Sequence, residues 1–338
     1  MPPVPRFRGK RPVVWLPRIL RRGAVALAGL AFAGALLLSG CDQSGPLSSP
    51  LPQQRPASLA PQDPKPRSDD SRELARYYRA VQNDLLTRGL LRTDGGGPDT
   101  PFTADDLVEN FETIAFFDEY SKGAMPAHRT RGSGGELSRW DGPVRIGVEY
   151  GASVQPAQRT RDGNNITGYA NRLAKITGHP ISVTRGGGAN FHVFVAGEDD
   201  RAYFLTRLQQ EIPSISGKEL ALFRNLPRSF YCLVIAVSGS RNRNTYTRAV
   251  ALIRAEHPDL VRLSCIHEEI AQGLGLPNDS PEARPSIFND DDEFALLTSH
   301  DELLLKMLYD PRLKPGMTAD QARPVTRIIA RELMGQAL

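Results

Sequence analysis

The sequence predicts an α+β fold, in which helices pack on a mixed β-sheet and a helical segment precedes the main domain. Short runs that alternate apolar and polar residues, or that are rich in β-branched residues, predict the strands. Apolar residues at helical spacing in three longer segments predict the helices. With 338 residues and 40% hydrophobic residues, the chain can form one large domain or two smaller ones.

The first predicted elements are helices, and they form a helical N-terminal segment over residues 71–135. Apolar residues recur at helical spacing from Ser71 to Leu91. A second helix is predicted to begin at Thr103, with Asp106 as its capping partner, and to end near Tyr120.

Residues 140–338 are predicted to form the main domain, including C-terminal helices. A helix is predicted between the first two strands, over Ile166–Thr177, and a polar segment between the last two strands predicts a hairpin. The predicted strands are Val144–Tyr150, Pro180–Thr184, Asn190–Ala196, Ser229–Ser238 and Ala249–Ala255.

The first 40 residues have the pattern of a lipoprotein signal peptide. A basic stretch precedes an uncharged run that is short for a membrane span. The run ends in Leu38-Ser39-Gly40-Cys41, which resembles the bacterial lipobox. The resemblance implies export, cleavage before Cys41 and lipid on Cys41, so that the chain is anchored to a membrane of the cell envelope and faces the periplasm. An uncleaved N-terminal anchor is the alternative.

Residues 41–70 are rich in Pro, Ser, Gln and Ala, which predicts a disordered tether. The formal net charge is +4, but seven basic residues lie in the first 22 positions, so the remainder is slightly acidic. We find no basic patch with interleaved aromatic residues, and the sequence therefore argues against a nucleic-acid partner.

Two cysteines, Cys232 and Cys265, remain after Cys41. In an oxidising compartment two cysteines commonly pair, so we predict a disulfide that ties a strand to the long helix near position 270. Two buried free thiols are the alternative.

The long helix carries the skeleton of a zinc-peptidase motif without its histidines. Zincins bind Zn²⁺ through His at i and i+4 with Glu at i+1 as general base, and metzincins add Gly at i+7 and a ligand at i+10. Here Glu268, Glu269, Gln272, Gly275 and Asn278 occupy i, i+1, i+4, i+7 and i+10. The general-base position and the turn glycine are kept, and all three ligand positions are changed. A register that starts at His267 fails, because Ala271 would occupy i+4 and cannot ligate.

The order strand, helix, strand, strand, paired strands, motif helix resembles the upper subdomain of metzincins. Ser286-Ile287-Phe288 follows where metzincins often have the Ser-Ile-Met of their methionine turn, with Phe288 for Met. The later Leu297 and Asp301 resemble the start of the closing helix. The resemblance covers roughly residues 141–311 and implies a metzincin-like, or zincin-like, mixed sheet with an active-site-type helix.

The chain is also similar to exported bacterial proteins of domain-of-unknown-function family 2927. No established activity comes with that family. The likeness is carried by Cys265–Ile270, Gln272–Asp279, Ser286–Phe288 and Leu308–Pro311.

A carboxylate and two amides make a poor zinc site, since zinc favours imidazole and thiolate. Oxygen donors suit Ca²⁺ better, but Ca²⁺ takes six or more of them. We therefore expect no metal and no other cofactor at Glu268, Gln272 and Asn278, with Asp279 adjacent, and instead a hydrogen-bonded polar cluster. Zinc and calcium stay open alternatives.

Four other positions are weaker candidates. The acidic run Asp290–Glu293 suggests calcium, with an exposed loop as the favoured interpretation. For His300 we favour a solvated histidine near a helix start over a catalytic one, and for His192 an outward-pointing strand residue. His267 is interpreted as a packed helix histidine.

These observations favour a lipid-anchored pseudo-peptidase that binds a peptide, a protein or a cell-wall component without catalysis. One alternative is an active metal-dependent peptidase, with Glu269 as general base and the metal held by Glu268, Gln272 and Asn278 or Asp279. The other is a structural envelope lipoprotein with no ligand.

Overall fold

The computed structural model describes residues 66–116, 135–240, 242–289 and 291–336, all within one unit, Pro61–Leu338. The predicted signal peptide, Cys41 and most of the predicted tether lie outside these residues. Within the described residues, no helix has both the length and the apolar character needed to cross a membrane.

The described part of the chain contains eight α-helices and six strands. The helices are α1 (Asp69–Thr87), α2 (Ala104–Phe116), α3 (Pro156–Thr177), α4 (Arg201–Glu211), α5 (Gly217–Arg224), α6 (Asp259–Gly275), α7 (Ser299–Leu308) and α8 (Ala319–Leu333). The strands are β1 (Arg139–Trp140), β2 (Val144–Tyr150), β3 (Ile181–Thr184), β4 (Phe191–Ala196), β5 (Cys232–Gly239) and β6 (Asn242–Arg254).

The strands form one mixed sheet, as predicted, in the order β3-β2-β4-β6-β5, and the short β1 also pairs with β6. The β3-β2, β2-β4, β4-β6 and β1-β6 pairs are parallel. Only β5 runs antiparallel, to β6. The α+β prediction is confirmed, and among the described strands β5 lies at an edge of the sheet.

Helices cover both faces of this sheet. Along β4, Phe191, Val193 and Val195 enter the main core, whereas Phe194 enters a second cluster. The alternation follows from the two-residue period of a strand. The main core includes apolar residues of α2, α3, α6, α7 and α8, and the second cluster includes those of α4 and α5.

Several element boundaries differ from the predicted ones. Helix α3 begins at Pro156 rather than Ile166. Its first turns bury polar residues such as Gln158 and Asp162, so no apolar periodicity indicated that they are helical. The predicted hairpin is confirmed, but β6 begins at Asn242, so most of the polar connecting segment is strand. Helices α4 and α5 were not predicted, although Ser216 and Glu219 form a capping box at the start of α5.

The predicted capping pair of α2 is confirmed. Thr103 Oγ1 accepts from Asp106 N at 3.2 Å, and Asp106 Oδ2 accepts from Thr103 N at 2.8 Å. Phe111 and Ile114 of α2 lie fully buried in the main core. Helix α2 is therefore packed with the sheet-bearing part of the chain.

Candidate functional site

Helix α6 begins after Pro258 and ends at Gly275, the turn glycine of the predicted motif. Ile266, Ile270 and Leu274 on one face are fully buried in the main core. Cys265 on another face is bonded to Cys232 of β5, with an S–S distance of 2.03 Å. The predicted disulfide is confirmed, and it fixes α6 against the edge strand.

Two glycines let α6 approach its neighbours closely. A Cβ at Gly273 would lie 2.5 Å from Phe191 Cζ, so only glycine fits against the sheet there. At Gly275 φ is +130°, and a Cβ would lie 2.5 Å from Ser138 O. Glycine at the turn position thus meets both a conformational and a steric need.

Glu269, at the predicted general-base position, lies between Cys265 and Gly273 on the sheet-facing side of α6. Its side chain is buried, with 3% exposure, whereas Glu268 is half-buried. One carboxylate oxygen of each glutamate and Cys232 Sγ all lie within 4.8 Å of one another. The two carboxylates are therefore grouped around the disulfide and the edge strand.

The side-chain amides at the other two predicted ligand positions donate to other residues. Gln272 Nε2 donates to Asp279 Oδ1 at 3.4 Å. Asn278 Nδ2 donates to Thr113 O of α2 at 2.9 Å, which commits its amide to a helix carbonyl. A carboxylate and two amides engaged in this way do not fit a tetrahedral zinc centre, and we derive no step through a metal at these positions.

The turn formed by Ser286, Ile287 and Phe288 is held by Asp301 at the start of α7. Asp301 is fully buried and accepts from Ser286 Oγ at 2.6 Å and from Ile287 N at 3.0 Å. It also accepts from Thr298 N at 2.9 Å and from Thr298 Oγ1 at 2.8 Å. One carboxylate thus caps α7 and fixes the turn, which packs the fully buried Phe288 into the main core.

A family model described as "Protein of unknown function (DUF2927)" matches residues 104–328. The chain belongs to this family. The predicted membership is confirmed, and the match extends from the first residue of α2 into α8, so it includes the sheet, α6 and the Ser286–Phe288 turn. No curated protein and no solved structure matches the chain.

His267 of the DUF2927 domain is a packed helix histidine, as predicted. Its ring stacks on that of Tyr169, with centroids 4.0 Å apart. Its Nδ1 accepts from Leu297 N at 3.1 Å. Burial lowers the pKa of His267 to about 3, with a smaller contribution from the positive charge of Arg172. The imidazole is therefore neutral and does not take part in the glutamate group.

We expect acid to destabilise the domain through His267. Its pKa is about 3 in the fold and 6.5 for an ordinary histidine, so the unfolded chain binds one more proton between these pH values. Stability should fall as the pH drops from 6.5 toward 3. In His267→Asn the pH slope of the free energy of unfolding should shrink by up to about 1.4 kcal/mol per pH unit.

Urea denaturation between pH 4 and 6.5 measures this slope. Tyr169→Phe is the matched control, because it removes the hydrogen bond from Tyr169 Oη to His267 O at 2.9 Å but keeps the stacked ring and the histidine. The control should lose stability with no change in slope. Equal slopes in wild type and His267→Asn would contradict the lowered pKa of His267 in the folded domain.

One of the weaker predictions is wrong, and a second holds only in part. His300 is fully buried rather than solvated, since Phe102 and Asn110 cover it; its Nε2 lies 3.3 Å from Asn110 Nδ2. In the acidic run Asp291 is exposed, as predicted, but Glu293 is half-buried, and Arg92 and Arg284 bind its carboxylate at 3.0 and 2.6 Å. In the same run Asp290 lies outside the described residues.

The prediction that His192 points outward is also wrong. The side chain leaves the main core, but α4 covers that face and leaves the residue 7% exposed. His192 Nδ1 lies 2.9 Å from Glu149 Oε1, and Nε2 lies 3.1 Å from Glu211 Oε2. The three elements that carry this cluster are distant in sequence, so no local pattern indicated it.

Arginines neutralise both carboxylates of this cluster. Arg207 Nε donates to Glu149 Oε2 at 2.9 Å, and Arg248 Nη1 donates to Glu211 Oε2 at 2.9 Å. Burial raises the pKa of Glu149, but hydrogen bonds from His192, Arg207 and Tyr203 outweigh it and lower the pKa to about 2. The cluster is a structural ion-pair network that ties α4 to the sheet.

Proposed function

We propose that this chain is a lipid-anchored envelope protein whose DUF2927 domain binds an extended peptide or protein segment without cutting it. The proposal takes the domain as a degenerate metzincin-like peptidase. The order of elements along the chain supports that ancestry, and the donors at Glu268, Gln272 and Asn278 argue against zinc catalysis. The observation that carries the binding role is the open edge of β5 beside α6.

Hydrogen bonds of β6 indicate which backbone groups of β5 are available. Ala249 N donates to Asn190 O at 2.9 Å, and Ala255 N donates to Ala196 O at 3.0 Å. Asn190 directly precedes β4 and Ala196 is its last residue. The odd-numbered residues from 249 to 255 therefore direct their backbone groups toward β4. The even-numbered residues therefore direct theirs toward β5, because alternate residues of a strand face opposite neighbours.

On the β5 side, Val250 pairs with Ile235 and Leu252 pairs with Leu233. These β5 residues direct their amide and carbonyl groups toward β6. The intervening residues direct theirs toward the outer edge, where no strand pairs within the described part of the chain. The outward-directed residues are Cys232, Val234 and Ala236.

An exposed row of backbone donors and acceptors is a template for adding a strand. An extended peptide bound there would gain main-chain hydrogen bonds. Its side chains would alternate between the face of the sheet that carries α6 and the face that carries α4 and α5. The disulfide between Cys232 and Cys265 holds the edge at a fixed position next to the two glutamates. A rigid edge lowers the entropy cost of binding.

Ala236→Pro tests the proposal, because it removes one outward N–H while the ladder to β6 keeps its hydrogen bonds. Full-length chain in detergent is titrated into fluorescein-labelled decapeptides of random sequence. For the peptides that bind, we expect Ala236→Pro to weaken binding at least about tenfold, the loss of roughly 1.4 kcal/mol.

Ala236→Ser is the matched control, since it keeps the N–H and should bind like wild type. Peptides that are N-methylated at alternate amides should also fail to bind. Binding that survives both changes would contradict strand addition at β5. Peptide cleavage that a chelator stops and that Glu269→Gln abolishes would instead favour an active peptidase.

A further inference from the structure

We infer that the Cys232–Cys265 pair, Glu268 and Glu269 form a redox-gated site for a thiophilic divalent cation such as Zn²⁺. The oxidised pair offers no thiolate. Reduction creates two sulfur ligands beside two carboxylates. This site shares Glu268 and Glu269 with the zinc-peptidase motif and Cys232 with the proposed peptide edge. It uses sulfur ligands that the motif positions lack, and the inference does not depend on the proposed function.

Four donors from two elements converge here. Cys265, Glu268 and Glu269 stand at i, i+3 and i+4 on α6, so they share one side of the helix. Cys232 approaches from β5, and its Sγ lies within 4.8 Å of a carboxylate oxygen of each glutamate. Cys265 Sγ is bonded to Cys232 Sγ. The bonded pair therefore brings a second sulfur next to the group formed by Cys232 and the two glutamates.

The backbone spacing suits metal binding after reduction. With Zn–S bonds of about 2.3 Å and tetrahedral angles, the two sulfurs would lie about 3.8 Å apart. The Cα atoms are 5.8 Å apart, so rotation of the side chains can open the sulfurs without moving α6 or β5. Glu268 and Cys232 are half-buried, which leaves an entry path from solvent.

The donor chemistry also favours this site over the other grouping of candidate ligands in the described residues. Two thiolates with carboxylates satisfy the preference of Zn²⁺ for sulfur, which Glu268, Gln272 and Asn278 lack. The Glu149–His192–Glu211 cluster likewise offers no sulfur ligand.

The redox step balances with a dithiol as reductant. One dithiol transfers two electrons and two protons, becomes a cyclic disulfide, and leaves Cys232 and Cys265 as thiols. Each thiol then releases its proton when its sulfur binds the cation. Thiol–disulfide exchange with a second disulfide, which takes up the two electrons and leaves as two thiolates, would reform the S–S bond. The ion would then be expelled, since a disulfide sulfur is a poor ligand.

Cobalt titration tests the inference, because Co²⁺ reports thiolate ligation by near-ultraviolet charge-transfer absorption and tetrahedral geometry by its visible bands. Full-length chain carrying Cys41→Ser is used in detergent, so that only one cysteine pair remains. The protein is reduced with a phosphine, which is then removed. We expect one Co²⁺ per chain with both signals, displaced by one equivalent of Zn²⁺, and neither signal in the oxidised protein.

Glutamate variants distinguish the folded site from a bare dithiol. Glu268→Gln and Glu269→Gln should each weaken Co²⁺ binding at least about tenfold, the low end of what losing supporting groups costs a metal site. Glu109→Gln, at an exposed position of α2, is the matched control and should bind like the reduced parent. The Cys232→Ser, Cys265→Ser double variant should show no charge-transfer band.

Three results would overturn the inference. The first is equal Co²⁺ affinity in the parent and both glutamate variants, which would mean that the sulfurs bind alone. The second is absence of a thiolate band after reduction. The third applies if reduction unfolds the chain: Zn²⁺ should then restore the near-ultraviolet circular dichroism of the oxidised protein, and failure to restore it counts against the site.

Discussion

Asp301→Ala should lower the free energy of unfolding by about 3–5 kcal/mol, because it leaves buried donors without an acceptor. The fully buried carboxylate accepts four hydrogen bonds, from Ser286 Oγ, Ile287 N and both polar groups of Thr298. A loss of this size would identify Asp301 as the residue that joins the start of α7 to the Ser286–Phe288 turn. Urea denaturation at neutral pH measures it.

Asp106→Ala is the matched control for this variant. Asp106 makes the same reciprocal capping contacts with Thr103 at the start of α2, but it is exposed and holds no second segment. Losing an exposed cap costs about 0.5–2 kcal/mol. If Asp301→Ala costs no more than Asp106→Ala, the carboxylate caps α7 only and does not secure the turn.

Cys232→Ser should lower the free energy of unfolding by about 3–4 kcal/mol under oxidising conditions, because the bridge closes a long loop in the unfolded chain. The bonded cysteines are separated by 33 residues, a span that includes the whole of β6. The expected loss is measured as a lower melting temperature and a lower urea midpoint.

Two comparisons isolate the covalent bond from the side chain. The Cys232→Ser, Cys265→Ser double variant should lose about as much as the single variant, because either change removes the same bond. Reduced wild type should behave like the double variant in metal-free buffer. A Cys232→Ser protein that melts like oxidised wild type would show that the bridge does not limit the stability of the fold.

Local signals in the sequence predicted the elements that depend on short-range chemistry. Gly275 sets the end of α6, and Thr103 with Asp106 sets the start of α2. The β5-β6 hairpin was visible in two apolar runs separated by a polar segment. Capping and turn formation involve residues within a few positions, so a single sequence carries enough information for them.

Elements whose apolar pattern is weak or interrupted were not predictable in the same way. Strand β1 has only two residues, and its pairing with β6 alone makes it a strand. Helix α3 replaces apolar positions in its first turns by Gln158 and by Asp162, whose carboxylate accepts from Arg262 Nε at 2.9 Å. A buried ion pair with a partner 100 residues away leaves no periodic signal in the helix itself.

At the candidate site, the spacing of Glu268, Gln272 and Gly275 predicted a helix that ends at the glycine, and the structure contains that helix. Spacing alone did not show that Asn278 is committed to the carbonyl of Thr113, or that Glu269 lies against Cys232. These contacts depend on where α2 and β5 meet α6. The grouping of two cysteines with two carboxylates likewise depends on the packing of β5 against α6.

The sequence by itself determined the family, the mixed α+β architecture, the motif helix and the cysteine pair, because each depends on the spacing of nearby residues or on residue type. Only the tertiary structure decided the burial of His192 and His300, the ion pairs of Glu293 with two arginines and, among the described strands, the position of β5 at an edge of the sheet. Burial and charge pairing depend on which distant segments share a surface, and no local pattern specifies that.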